Sequence, residues 1–139
     1  MAARDIFHEQ VKHALIKDGW TITADPLTIP FGNTEVYVDL GAEKLLAAEK
    51  GAAAIAVEIK SFIQPSIIHE FHTALGQFLN YRAALVPIDP RRRLYLAMPY
   101  DTYSTFFVQP FLQSILQQYQ VETIVYDPVT EEIVQWITW

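Results

Sequence analysis

Apolar positions along this chain change their period several times, and each change predicts an element. From Arg4 to Lys17, Phe7, Val11, Ala14 and Leu15 recur at helical spacing, and Gly19 follows as a stop. Trp20 to Thr23 predicts a strand and Leu27 to Ile29 a second short one, with Pro26 and Pro30 punctuating the region. Glu35 to Leu40 alternates and is rich in Val and Tyr, so it predicts a third. Gly41 to Ala54 admits two readings. Its Ala, Glu, Lys and Leu content favours a helix. The alternative is a hairpin, with a strand near Leu45 to Ala48 and a turn at Lys50-Gly51, leading into a strand from Ile55 to Lys60. The hairpin is preferred because it sets the charged residues on either side of it next to each other.

Pro65 and Ser66 open a long helix to about Leu85, with Ile67, Phe71, Leu75, Phe78 and Leu79 on its buried side. Arg93 to Met98 predicts a strand, and Tyr103 to Tyr119 a helix that Pro110 kinks or restarts. Val121 to Tyr126 and Ile133 to Thr138 predict two strands around an Asp127-Pro128 turn. The expected architecture is α/β, a central mixed β-sheet flanked by α-helices. With no repeat, linker or low-complexity stretch, residues 1–139 read as a single domain.

Composition narrows the function classes. Half the residues are apolar (51%) and 19% are charged, which suits a packed core and argues against disorder. The absence of cysteine excludes disulfides, thiolate zinc sites and a cysteine nucleophile. The longest apolar run, Ala52 to Val57, is too short to span a bilayer, so no membrane association and a cytoplasmic location are expected. The net charge of −6, with ten Lys and Arg, is unusual for a protein that grips nucleic acid, because phosphate binding is driven by basic residues. A divalent cation with a local basic patch, or a partner, has to make up that deficit if nucleic acid is the target.

The candidate chemistry lies in Val57-Glu58-Ile59-Lys60, preceded by Asp39. Residues two apart in a strand share a face, so Glu58 and Lys60 project together while Val57 and Ile59 go the other way. Charges on a buried strand need partners, and Asp39 on a neighbouring strand is one. Two carboxylates suit Mg²⁺ or Mn²⁺, which takes oxygen ligands and keeps several waters. An ammonium beside them suits phosphodiester hydrolysis, where it orients the water or offsets developing charge. The bland alternative is an exposed ion pair on an edge strand. On the following helix, Gln77 and Tyr81 are four apart and share a side with Glu70 and Ala74, at the boundary of the apolar stripe.

Asp39, Glu58-Ile59-Lys60 and Gln77-x-x-x-Tyr81, in that order, resemble the PD-(D/E)xK nuclease superfamily and its RecB-like branch. Three longer runs are similar to the XisH family, the fdxN element excision controlling factors of cyanobacteria: Val38-Asp39-Leu40-Gly41-Ala42-Glu43-Lys44, Ala56-Val57-Glu58-Ile59-Lys60-Ser61-Phe62, and Ala74-Leu75-Gly76-Gln77-Phe78-Leu79-Asn80-Tyr81-Arg82. Ile124-Val125-Tyr126-Asp127-Pro128 and Ile133-Val134-Gln135-Trp136 extend the likeness to nearly the whole chain. The resemblance implies a restriction-endonuclease-like fold and a role in programmed DNA excision, beside a site-specific recombinase and a small XisI-like companion. It implies that Asp39 and Glu58 are metal ligands, Lys60 the catalytic lysine, and Gln77 and Tyr81 an auxiliary motif. Val38 stands where the superfamily often has proline. Glu9 is the candidate for a helix-one acid that the superfamily often places near its site, although its position opposite Phe7 points it to solvent.

The remaining features read as structural. His8 and His13 are five apart, on different helical faces, and His69 and His72 sit away from Gln77, so a histidine metal site is not expected. Arg91-Arg92-Arg93 reads as a solvated turn in preference to a phosphate clamp. Tyr126, Trp136 and Trp139 read as core or strand packing, with a contact in a C₂ homodimer as the alternative for Trp139. Two functions stay open: a metal-dependent endonuclease acting in DNA excision, and a catalytically silent nuclease-fold subunit that binds DNA or a recombinase.

Overall fold

A computed structural model describes residues 4–45 and 52–139. Its main sheet has six strands in the order β1-β4-β5-β6-β7-β8, and β2 and β3 form a separate two-stranded sheet. The strands are β1 (Thr21–Ala24), β2 (Leu27–Phe31), β3 (Thr34–Val38), β4 (Leu40–Leu45), β5 (Ala52–Ile59), β6 (Arg93–Pro99), β7 (Thr123–Asp127) and β8 (Glu132–Ile137). The helices are α1 (His8–Lys17), α2 (Ile67–Leu85), α3 (Tyr100–Thr102) and α4 (Pro110–Gln118), with a π-helical turn over Tyr103–Phe107. The sheet is mixed: β5, β6 and β7 run parallel, while β1, β4 and β8 pair antiparallel.

Period-two alternation on the central strands divides the interior into two cores. On one face Ile55, Val57 and Ile59 of β5, with Tyr95 and Ala97 of β6, pack against Val11 and Leu15 of α1. On the other face Ala56, Leu94, Leu96 and Met98 meet Phe71, Ala74 and Phe78 of α2, with Phe107 and Leu116 beyond. Strands buried on both sides read as continuous apolar runs, which explains β6 and β7. Ser66 caps α2, its hydroxyl accepting the His69 amide N–H at 3.2 Å.

The expected antiparallel pairing is present, and its first strand begins at Leu40, ahead of the expected Leu45: Leu40 to Leu45 pair with Val57 to Ala52. Residues 46–48 and the Lys50-Gly51 turn lie outside the described residues. The expected strand from Glu35 to Leu40 divides at Asp39. Val36 and Val38 pair with Ile29 and Leu27 of β2, whereas Leu40 joins the main sheet. Alternation runs unbroken across that junction, so sequence alone gives no cue to the change of sheet. The helix expected from Tyr103 begins at Tyr100, passes through the π turn and restarts at Pro110, where a missing N–H costs nothing.

Asp25 ties α1 to the β1–β2 connection. Its Oδ1 lies 2.8 Å from Nε2 of the buried His8, and its Oδ2 accepts the Lys12 ammonium at 2.8 Å. Burial pushes the Asp25 carboxyl up, but hydrogen bonds from Lys12 and His8 outweigh it and hold the group below the usual carboxylate range. A depressed acid contributes stability above its unfolded pKa and loses it as pH falls through its folded one. Asp25→Asn should therefore lower unfolding free energy at pH 7 by about 1–2 kcal/mol. The deficit should shrink as pH falls into the acid range, where wild type loses the same interaction. Denaturant titration at both pH values measures it, and equal deficits would refute this account.

Candidate functional site

Glu58 lies on the α2-facing side of β5, buried to 6% exposure. Leu40 pairs with Val57, which sets Asp39 across from Glu58 just where the chain leaves β3. The Asp39 backbone N–H donates to Glu58 Oε1 at 3.4 Å, and Asp39 Oδ2 accepts the Ile59 N–H at 2.7 Å. Each carboxylate thus accepts a backbone N–H from the opposite segment, Glu58 from Asp39 and Asp39 from Ile59, which ties the two together. Lys60 extends from the same face, with Nζ 3.9 Å from Glu58 Oε2 and its side chain about one-fifth exposed. Burial, then the charge and hydrogen bonding of Asp39, push the Glu58 carboxyl up to about 9, and Lys60 only partly offsets this.

α2 supplies the roof. Its buried stripe of Phe71, Ala74 and Phe78 sets Gln77 and Tyr81 on the adjoining flank, where both are half-buried. Burial and then the charges of Glu58 and Asp39 push the Tyr81 phenol up. Gln77 Oε1 is enclosed without a hydrogen-bond partner, as is Glu70 Oε2 about two turns nearer the start of α2. Burial pushes Glu70 up as well, Lys60 draws it down, and Asp5 raises it again. The Lys60 charge thus acts on two acids, Glu58 and Glu70, that both resist ionisation.

Among the described residues no three His, Asp or Glu side chains form a metal-holding group. The oxygen donors available to a cation are those of Asp39 and Glu58. A part-buried Asp39 beside a buried Glu58 that is forced toward its neutral form is a donor set that a divalent cation with several waters fits. His69 and His72 are exposed, and His8 is committed to Asp25. A family model described as "XisH protein" matches residues 1–134. The chain belongs to the XisH family. Two solved structures support the placement. A crystal structure of an XisH family protein from Nostoc punctiforme is 49% identical, with TM-score 0.88, covering 96% of this chain and all of that one. That of an fdxN element excision controlling factor protein from Anabaena variabilis is 51% identical, with TM-score 0.86, covering 97% and 100%. No curated protein matches.

In this XisH-family chain Glu9 does not approach the site. It is half-exposed and pairs with Arg4 at 3.2 Å and more loosely with His13. The acid that does approach is Asp5. Its Oδ2 accepts the Ser61 N–H at 2.9 Å, and its Oδ1 accepts the Phe7 N–H at 2.9 Å. An Asp two residues before an amide that opens a helix is a recognisable turn signal, and Asp5-x-Phe7 carries it. The partner, Ser61, could not be found that way. Just beyond it, Phe62 adopts φ 55°, a left-handed conformation held by edge-on packing against Phe107 at 5.2 Å. The chain leaves β5 sharply there, immediately past Lys60.

The raised Glu58 pKa fixes a pH dependence. A carboxyl whose folded pKa exceeds its unfolded value contributes stability at low pH and loses it as pH climbs towards the folded value. Metal-free protein should lose stability between about pH 5 and 9, by at most roughly 1.4 kcal/mol per pH unit from this group. Glu58→Gln should flatten the slope and raise the melting temperature at pH 8. Thermal melts in chelator across that range check this, and a level wild-type profile would show that Glu58 ionises freely.

Proposed function

We propose that this protein processes DNA through a divalent-cation-dependent, phosphodiester-hydrolysing site formed by Asp39, Glu58 and Lys60, in the control of DNA element excision. The excision role follows the name of the Anabaena variabilis relative, and the mixed sheet between helices supports assignment to the restriction-endonuclease-like, PD-(D/E)xK class. The observation that carries the reading is Glu58: a carboxyl at 6% exposure, beside Asp39 and within 3.9 Å of an ammonium, on the strand at the centre of the sheet. Packing alone gives no reason to bury that group.

Asp39 and Glu58 would hold Mg²⁺ or Mn²⁺, which supplies a water of lowered pKa and offsets charge on the pentacoordinate phosphorus. Lys60, whose ammonium lies 3.9 Å from Glu58 Oε2, would orient that water or offset charge on a non-bridging oxygen. The Tyr81 phenol, raised by its surroundings, stays protonated near neutrality and is available to donate a hydrogen bond to a substrate oxygen. Gln77 brings an Oε1 that has no partner of its own and can accept one. The net charge of −6 and the two-carboxylate donor set favour a second reading, a silent subunit that acts through an XisI-like companion and a recombinase. A homodimer through the C-terminal strand belongs to either reading. Within one chain, Trp139 already donates its indole N–H to the Val121 carbonyl at 2.9 Å while remaining 41% exposed.

Pure protein incubated with labelled DNA and Mn²⁺ should show strand cleavage. Asp39→Asn and Lys60→Ala should each reduce it at least about 100-fold. Gln77→Ala and Tyr81→Phe should reduce it less and leave the fold intact. Mn²⁺ at about ten times its Kd should add roughly 1.4 kcal/mol of stability. That corresponds to about 3–6 °C in melting temperature. Asp39→Asn should abolish the response. No metal-dependent shift in wild type, or an equal one in Asp39→Asn, rules out the cation site.

A further inference from the structure

Four of the chain's five arginines, Arg82, Arg91, Arg92 and Arg93, line one cavity of about 420 Å³. It lies past the C-terminal half of α2 and at the start of β6, away from Glu70 and Lys60. Only Asp89 and Glu122 among its lining residues are acidic. In a chain of net charge −6, this concentration of guanidinium groups opposes the overall field.

The arginines divide into two kinds. Arg92 is structural: Nη1 donates to the Ile55 carbonyl at 2.9 Å, Nε to Asp89 at 2.9 Å, and Nη2 lies 3.5 Å from Glu43. Its side chain is 11% exposed, so it is not the solvated turn residue the sequence suggests. Arg93 and Arg82 share one acid. Arg93 Nη1 lies 3.3 Å from Glu122 with its side chain still 56% exposed, and Arg82 also acts on Glu122. Arg82 Nη1 donates to the Gln120 carbonyl at 2.9 Å, and its guanidinium lies 5.2 Å from the Phe78 ring centroid. Neither interaction cancels its charge. Arg91 is exposed and makes no ion pair among the described residues. Arg82, Arg91 and Arg93 thus face a single carboxylate, and Arg82 is held in place before any ligand arrives.

Planar guanidinium forks match two phosphate oxygens at once, and a cavity of this volume is within the range of ligand sites. We propose that this cavity binds a phosphate group, supplied by the backbone of a nucleic-acid strand, at a site separate from the carboxylate pair. The register places Arg93 beside Ile55 and Leu96 beside Glu58, so the two sites are three residues apart along the strands, roughly 10 Å. Such a site is the local basic patch that an acidic chain needs in order to hold DNA. A free phosphate or mononucleotide offers the same oxygens from a different source.

Fluorescence anisotropy of a labelled single strand, in chelator and over a salt series, tests the proposal without requiring cleavage. The variants are Arg91→Gln, an exposed change that leaves the packing intact, and Arg82→Gln/Arg91→Gln, whose fold circular dichroism checks. The double variant should bind at least about ten-fold more weakly. Its plot of log K against log salt should flatten by about 0.7 for each phosphate that the variant no longer neutralises. Displacement of the strand by inorganic phosphate or a mononucleotide only at millimolar levels supports the backbone source. Tight binding of either small probe, abolished in the double variant, assigns the cavity to a free phosphate and overturns the nucleic-acid assignment. Unchanged affinity and salt slope in both variants overturn the phosphate site itself. If they are unchanged while Asp39→Asn abolishes cleavage, the nuclease reading stands and only the arginine site fails.

Discussion

An ionised carboxylate buried in a sheet is costly unless hydrogen bonds, a cation or a proton compensates it, and Glu58 lies under this constraint. At 6% exposure, on a strand covered on both faces, it has Asp39 beside it and the Lys60 ammonium 3.9 Å away, within ion-pair reach but beyond hydrogen-bond distance. Without a cation, the compensation is protonation, to which the raised pKa of about 9 corresponds. The surrounding architecture holds that arrangement in place. Asp39 Oδ2 is fixed by the Ile59 N–H, and the α2 stripe of Phe71, Ala74 and Phe78 packs on the sheet face that carries Glu58, with Gln77 and Tyr81 on its half-buried flank. Hydrophobic packing thus preorganises a polar cluster that would not assemble by its own attractions.

Much of this was legible in the sequence because it follows from period. Alternation on β5 sets Glu58 and Lys60 on one face, and helical spacing on α2 sets Gln77 and Tyr81 on one flank. The buried face of α1 was legible for the same reason, with Val11, Ala14 and Leu15 on it. What stayed hidden depends on long-range pairing. Nothing local to Val38-Asp39-Leu40 says that the chain changes sheets there, and the Ala, Glu, Lys and Leu of β4 and the Ala-rich start of β5 look helical by propensity until their cross-strand partners are known. Asp5 escaped notice for a similar cause. Its turn with Phe7 is local, but the Ser61 amide it also binds is 56 residues away.

Asp5 has a consequence for how the site is held. The segment after Lys60 has left the sheet, so its amides lose their ladder partners and must find others. Lys60 N–H still donates to the Ala97 carbonyl at 3.0 Å, and one residue later Ser61 N–H is taken by the Asp5 side chain. Phe62 then turns through a left-handed conformation and anchors in the core against Phe107. The direction of the Lys60 side chain is therefore set from both sides, by the β5–β6 ladder before it and by a helix-start carboxylate after it. The acid from the start of α1 acts on the position of Lys60 through the backbone.

The chain as a whole repels phosphate, yet its positive charge is not spread evenly. Five lysines and Arg4 are dispersed, and the other four arginines are gathered between the end of α2 and the start of β6. The long-range field is set by net charge and is screened over about 8–10 Å at physiological salt, whereas a fork-to-phosphate contact acts at hydrogen-bond distance. An acidic chain with one concentrated arginine cavity is thus poorly suited to non-specific electrostatic capture of a polyanion and better suited to holding one phosphate in a defined place. Arg92 shows why the cluster survives folding. Its charge is met by Asp89 and Glu43, and its remaining donor closes the Ile55 carbonyl of the strand that carries Glu58. The side chain that anchors the arginine cavity is therefore hydrogen-bonded to the backbone of the strand that presents the carboxylate site, and both sites are built on the same rigid element.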